Sequence, residues 1–133
     1  MRIVITGGSG FIGTNLINYL NKKKFKLLNI DKISYASTHE KFKILRKKRN
    51  YSFLKVDICN FNLLEKTLNK FKPSFIINLA ANSHVDRSIV SPKDFFNENI
   101  VITQNVLEYL RRNKKIKLIH ISTDEVYGST IKK

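Results

Sequence analysis

The chain has 133 residues, a hydrophobic fraction of 42% and a formal net charge of +15. That length fits one domain with a real core. No apolar run approaches the roughly 20 residues that span a bilayer, and a lone cysteine, Cys59, excludes an internal disulfide framework and fits a reducing cytoplasm. The positive charge raises the question of nucleic acid, but the basic residues fall in separate stretches at 22–26, 41–49, 66–72 and 111–117, without interleaved aromatic platforms, so neither nucleic acid nor membrane is expected as a partner.

The pattern alternates strand and helix. Arg2 to Thr6 reads as a short strand running into glycines, and Phe11 to Lys22 as a helix with Phe11, Ile12, Leu16, Ile17 and Leu20 at helical spacing. Lys26 to Ile30 is a second strand, ending at Asp31. A polar connection follows, with a basic helix expected near His39 to Lys48. Tyr51 to Val56 is a third strand, ending at Asp57. Asn60 is placed to cap a helix from Phe61 to Phe71, which Pro73 terminates. Ser74 to Leu79 makes a fourth strand. Ser91-Pro92 opens a long helix to about Asn113, and Ile116 to Ile121 is a fifth strand. Five strands separated by helices imply an α/β doubly wound parallel sheet, expected in the order 3-2-1-4-5. The apolar runs Phe75-Ile76-Ile77 and Leu118-Ile119 suit strands covered on both faces. No repeat and no second domain is visible.

Thr6-Gly7-Gly8-Ser9-Gly10-Phe11-Ile12-Gly13 joins the first strand to the first helix. It holds the dinucleotide fingerprint through Gly8, Gly10 and Gly13, and a second glycine triplet through Gly7, Gly10 and Gly13. One glycine makes the tight turn, another lets the backbone approach a pyrophosphate, and the last lets helix pack on strand. The helix N-terminus then offers free N–H groups to phosphates. Asp31 stands near the expected offset for an acid that binds ribose hydroxyls. It would repel a 2′-phosphate, which favours NAD over NADP. The expected fold is therefore a Rossmann-type NAD-binding domain over residues 1–133. Asp57-Ile58 ends the third strand, where an adenine would lie or where Asp57 simply caps a helix. Leu79-Ala80-Ala81 ends the fourth, with small residues that suit close approach of a cofactor or tight packing. His39, His84 and His120 lack ligand spacing with Cys59, so no metal site is expected.

The glycine turn together with Leu79-Ala80-Ala81 resembles the extended short-chain dehydrogenase/reductase superfamily, in its NAD-dependent epimerase/dehydratase branch. Three segments narrow the resemblance: Asp31-Lys32-Ile33-Ser34-Tyr35-Ala36, Ser83-His84-Val85-Asp86-Arg87-Ser88, and Ile121-Ser122-Thr123-Asp124-Glu125-Val126-Tyr127-Gly128. Together they resemble the dTDP-glucose 4,6-dehydratase family over nearly the whole chain. The resemblance implies dehydration of a nucleotide sugar, dTDP-glucose, through an internal NAD redox cycle: oxidation at carbon 4, loss of water across carbons 5 and 6, and return of the hydride to carbon 6. It makes Glu125 the base and Asp124 the acid, with Thr123, Ser83 and His84 at the sugar. Adjacent carboxyls with separated pKa values can divide such roles. It adds Phe11, Ile12, Lys32, Ile33, Ser34 and Ser83 to the cofactor contacts, and implies a cytoplasmic homodimer.

Three positions depart from the family pattern: Asn82 where Glu is usual, Glu98 where Thr is usual, and Ile102 where Gly is common. A carboxylate at Glu98 could disturb cofactor contacts. The superfamily's Tyr-x-x-x-Lys pair, placed by family analogy about 30 residues after Glu125, does not fall within the chain. The resemblance therefore implies an N-terminal portion that binds NAD and lacks activity alone, with the C-terminal strands and substrate domain missing and an unpaired strand edge. Two other readings stand beside it: a non-catalytic NAD-binding module that pairs with another chain, and a different nucleotide-sugar epimerase or dehydratase.

Overall fold

The computed structural model describes residues 1–34, 37, 49–83 and 89–128. The expected basic helix at residues 39–48 lies outside the described residues. Five strands, β1 (Arg2–Thr6), β2 (Lys26–Asp31), β3 (Tyr51–Lys55), β4 (Phe75–Asn78) and β5 (Lys117–His120), form one parallel sheet in the order β3-β2-β1-β4-β5. Helices α1 (Phe11–Leu20), α2 (Phe61–Phe71) and α3 (Pro92–Arg112) accompany it.

Strand alternation sorts the core into two halves. Ile3, Ile5, Leu27, Tyr51 and Ile77 pack with Ile17 of α1 on one face. Val4, Leu28, Ile30 and Ile76 pack with Leu64 and Leu68 of α2 and with Ile102, Val106 and Tyr109 of α3 on the other. Helices on both faces make the sheet doubly wound. Ile102 is 5% exposed and so fills core space against the sheet.

Local rules explain the element ends. Asn60 accepts the Leu63 N–H at 3.1 Å, capping α2 as its sequence promised. At the other end Lys72 takes a left-handed φ of 53° just before Pro73. The expected last turn of α1 unwinds after Leu20 into a turn over 21–24. The four-residue strands β4 and β5 are each a residue shorter at both ends than their apolar runs suggested.

One expectation about burial is corrected. Ile76 and Ile77 are buried as a two-sided strand requires, but Ile119 in β5 is 48% exposed. β5 pairs with β4 alone among the described residues, so it is an edge strand, and no described element covers Ile119.

Candidate functional site

The C-terminal ends of β1, β2 and β4 converge on the glycine turn. Gly7 has a φ of +66°, a conformation that disfavours any side chain. A methyl group there would also sit 2.7 Å from the backbone N of Ala80. At Gly13 a methyl would lie 2.5 Å from the Gly8 Cα, so this glycine lets α1 close on the turn. Gly10 differs. A methyl at Gly10 would meet only the Gly7 carbonyl, at 3.5 Å. Protein packing therefore explains Gly7 and Gly13 but does not by itself require a glycine at Gly10.

Gly10 is also the N-cap of α1 and offers no side-chain cap, and the first turn carries no acidic residue. Phe11 and Ile12 on that turn are 75% and 60% exposed. The partial positive charge of this helix end thus meets neither a side-chain cap nor an acidic residue of its own first turn. A helix N-terminus of this kind can hold a pyrophosphate.

Asp31, 8% exposed at the end of β2, accepts the Ser9 N–H at 2.9 Å through Oδ2 and the Ile33 N–H at 2.8 Å through Oδ1. The first bond ties the glycine turn to β2. The second holds Ile33 at a φ of 60°, unusual for a β-branched residue. Each carboxylate oxygen keeps a lone pair for a further donor such as a ribose hydroxyl. Beneath the turn, Asn29 donates to the Ser9 hydroxyl at 3.2 Å and to the Tyr51 hydroxyl at 3.1 Å.

A second polar chain crosses the sheet. The Ala80 N–H donates to the Thr6 hydroxyl at 3.4 Å. That hydroxyl donates to Asn78 Oδ1 at 2.5 Å, and Asn78 Nδ2 lies 3.0 Å from His120 Nδ1. It links the ends of β1, β4 and β5 below Leu79-Ala80-Ala81. The motif pattern named neither Asn29 nor Asn78, and gave Thr6 and His120 no part in such a chain. Their signal was a polar residue inside an apolar strand run.

The two departures at positions 82 and 98 meet in space. Asn82 Nδ2 donates to Glu98 Oε2, and Glu98 Oε1 pairs with the Lys32 ammonium. Asp57, Cys59 and Glu98 bring their side-chain ligand atoms within 4.8 Å of one another. Burial first, and then the nearby Asp57 charge, pushes the Cys59 thiol above its ordinary pKa. Ile58 is 4% exposed and its side chain belongs to the core, so an adenine there would meet its backbone.

Thr123 is exposed just past β5, and the backbone of Asp124–Tyr127 forms a single 3-10 turn there. The carboxyl groups of Asp124 and Glu125 lie outside the described residues, as do His84 and the rest of 84–88. Ser83 is exposed at the end of the β4 loop, and Ser34 follows Ile33. The Thr-Asp-Glu segment and the Leu79-Ala80-Ala81 loop thus leave neighbouring strands at the same edge of the sheet, where open α/β folds bind ligands. Two Tyr-x-x-x-Lys spacings occur elsewhere. Lys23 lies 5.6 Å from the Tyr19 ring centroid beyond the C-terminus of α1, while Tyr51 and Lys55 sit four residues apart on β3, about 13 Å by strand geometry. Neither pair is at the glycine turn.

This sheet order with a glycine turn between β1 and α1 defines a Rossmann-type nucleotide-binding fold. The family model described as GDP-mannose 4,6 dehydratase matches residues 4–133, and the chain belongs to that family. Curated relatives include a "Probable dTDP-glucose 4,6-dehydratase" of Sinorhizobium fredii, 44% identical over 97% of this chain and 39% of its own length. A dTDP-glucose 4,6-dehydratase of Haemophilus influenzae is 42% identical over 96% of this chain and 41% of its own length. The chain therefore spans about two fifths of the length of these relatives. Among solved structures, the dTDP-glucose 4,6-dehydratase of Bacillus anthracis in complex with NAD superposes with a TM-score of 0.87 at 36% identity, covering 100% of this chain and 41% of that one.

Proposed function

We propose that the chain is the NAD-binding portion of a dTDP-glucose 4,6-dehydratase. The observation that carries this is the uncapped helix N-terminus at Gly10, where a methyl would meet only the Gly7 carbonyl, with Asp31 bonded to Ser9 across the same turn. Gly10, Phe11 and Ile12 would hold the pyrophosphate, Asp31 the adenosine ribose, and Asp57 with the Ile58 backbone the adenine edge. Leu79, Ala80, Ala81 and Ser83 would flank the other half of the dinucleotide. When bound, NAD supplies a reversible hydride acceptor.

The sugar chemistry falls to residues beyond β5. Thr123 would hydrogen-bond the sugar, Asp124 would protonate the departing hydroxyl, and Glu125 would take the proton from carbon 5. A ketone at carbon 4 acidifies that proton, and two carboxyls side by side can hold different protonation states for the two tasks. The remaining sugar-nucleotide contacts and the Tyr-x-x-x-Lys pair would come from residues outside these 133, so this chain alone would turn over no substrate. The outer side of α3 exposes Phe96, Ile100 and Leu107 along a groove of about 740 Å³, which supports a homodimer for the complete cytoplasmic enzyme.

The test has two parts. Reading the coding sequence past the Lys133 codon should reveal an open frame with a Tyr-x-x-x-Lys pair. In that longer protein, Glu125→Gln should abolish solvent deuterium exchange at carbon 5 while NAD stays bound. A stop codon at once would leave an NAD-binding module without catalysis. Exchange that persists in Glu125→Gln would mean that another residue is the base at carbon 5, and no exchange even in the unaltered longer protein would favour a 4-epimerase.

A further inference from the structure

Lys32 follows Asp31 directly, and an ammonium beside the ribose acid is the group a 2′-phosphate would seek. Here that ammonium is engaged by Glu98 of α3, which reaches it from across the sheet edge. Glu98 is itself held at its second oxygen by Asn82 Nδ2. Asn82 is fixed in turn by Asn99, whose Oδ1 accepts the Asn82 N–H at 2.7 Å and whose Nδ2 donates to the Asn82 carbonyl at 3.0 Å. The Glu98 side chain is 21% exposed. It is therefore a braced, half-buried carboxylate rather than a freely rotating surface group.

We propose that Glu98, positioned by Asn82, sets the choice of NAD over its 2′-phosphorylated form by holding the Lys32 ammonium. The inference rests on the NAD-binding reading above. Glu98 pairs with Lys32 and lies in one cluster with Asp57, and Asp31 directly precedes Lys32, so acidic groups collect at this corner of a chain whose overall charge is +15. A 2′-phosphate brought to the Asp31 ribose site would meet these carboxylates and find the adjacent ammonium already paired. Glu98 acts here through Lys32. Asn82 supplies the neutral donor that keeps the carboxylate aimed at it.

The experiment titrates the full chain with NADH and, separately, with NADPH, following nucleotide fluorescence. The wild type is expected to favour NADH. Glu98→Gln, which preserves size and hydrogen bonding, should move the affinity ratio toward NADPH by about tenfold or more, with NADH binding changed little. Glu98→Thr provides a second variant should the first fold poorly, and should shift the ratio the same way. Adding Lys32→Met to either variant should return the ratio to the wild-type value. An unchanged ratio in folded Glu98 variants overturns the proposal. So does a shift that survives Lys32→Met, or an equal loss of both nucleotides, which would make Glu98 a structural residue only. A wild type that binds neither nucleotide fails differently: it removes the NAD reading itself, and this inference with it.

Discussion

The Asp31 carboxylate accepts the Ser9 backbone N–H at 2.9 Å, so the residue proposed to bind the ribose also holds the glycine turn in shape. The same carboxylate takes the Ile33 N–H at 2.8 Å. Asp31→Ala would strip acceptors from two backbone donors in a nearly dry site. An orphaned buried donor costs about 1–3 kcal/mol, so unfolding by urea should show a loss of that order or more, together with loss of NAD binding. Asp31→Asn retains one acceptor oxygen and should lose less stability.

The glycines of the turn should separate by role. Gly13→Ala puts a methyl 2.5 Å from the Gly8 Cα, and Gly7→Ala forces a side chain onto a φ of +66° against Ala80. Each is expected to cost at least about 1–3 kcal/mol, seen as a clear fall in melting temperature. Gly10→Ala meets only the Gly7 carbonyl at 3.5 Å and should cost less than about 1 kcal/mol.

The chain from Ala80 through Thr6 to Asn78 and His120 stabilises the floor of the site. Thr6 is 1% exposed and Asn78 is 1% exposed. Thr6→Val keeps the shape but removes both a donor to Asn78 and an acceptor for the Ala80 N–H. The expected loss is about 1–3 kcal/mol, with amide exchange at Ala80 speeding up. An unchanged exchange rate at Ala80 would show that this hydroxyl does not fix the loop.

Cys59 offers a probe of the proposed adenine edge. Burial, and then the Asp57 charge, raises its pKa above the ordinary thiol range. The thiolate is the reactive form, so alkylation should rise with pH along a curve whose midpoint lies above that of an ordinary exposed thiol. Asp57→Asn removes a neighbouring negative charge and should move that midpoint down. Saturating NAD should slow the reaction. No protection by NAD would separate Cys59 from the cofactor site.

Much of this was legible because the strands and the turn follow local rules. Asn60 read as an N-cap and is one, and the sheet order follows from strand–helix alternation. The Gly7-to-Gly13 spacing named the turn, yet spacing cannot say which glycine serves packing and which serves a ligand. That distinction needs the neighbours of each missing Cβ: for Gly7 these are Leu79 and Ala80, just past β4 and some 70 residues later in the chain, and for Gly13 they are Gly7 and Gly8, brought back by the fold of the turn. Asn29 and Asn78 were hidden for a similar reason. An Asn inside an apolar run marks a buried polar network, but its partners Tyr51 and His120 sit on other strands. Asn82 and Glu98 looked like two separate departures and are hydrogen-bonded to each other. The exposure of Ile119 could not be read from its apolar run, because the pattern shows what a strand would bury and not what lies over it.

Calorimetric titration of NAD into the 133-residue chain, beside a Gly10→Val variant, probes the proposed cofactor site itself. The expected result is saturable one-to-one binding by the wild type, and none by a Gly10→Val variant that still melts cooperatively. Absence of binding by the folded wild type, or equal binding by the variant, would contradict the placement of NAD on this turn.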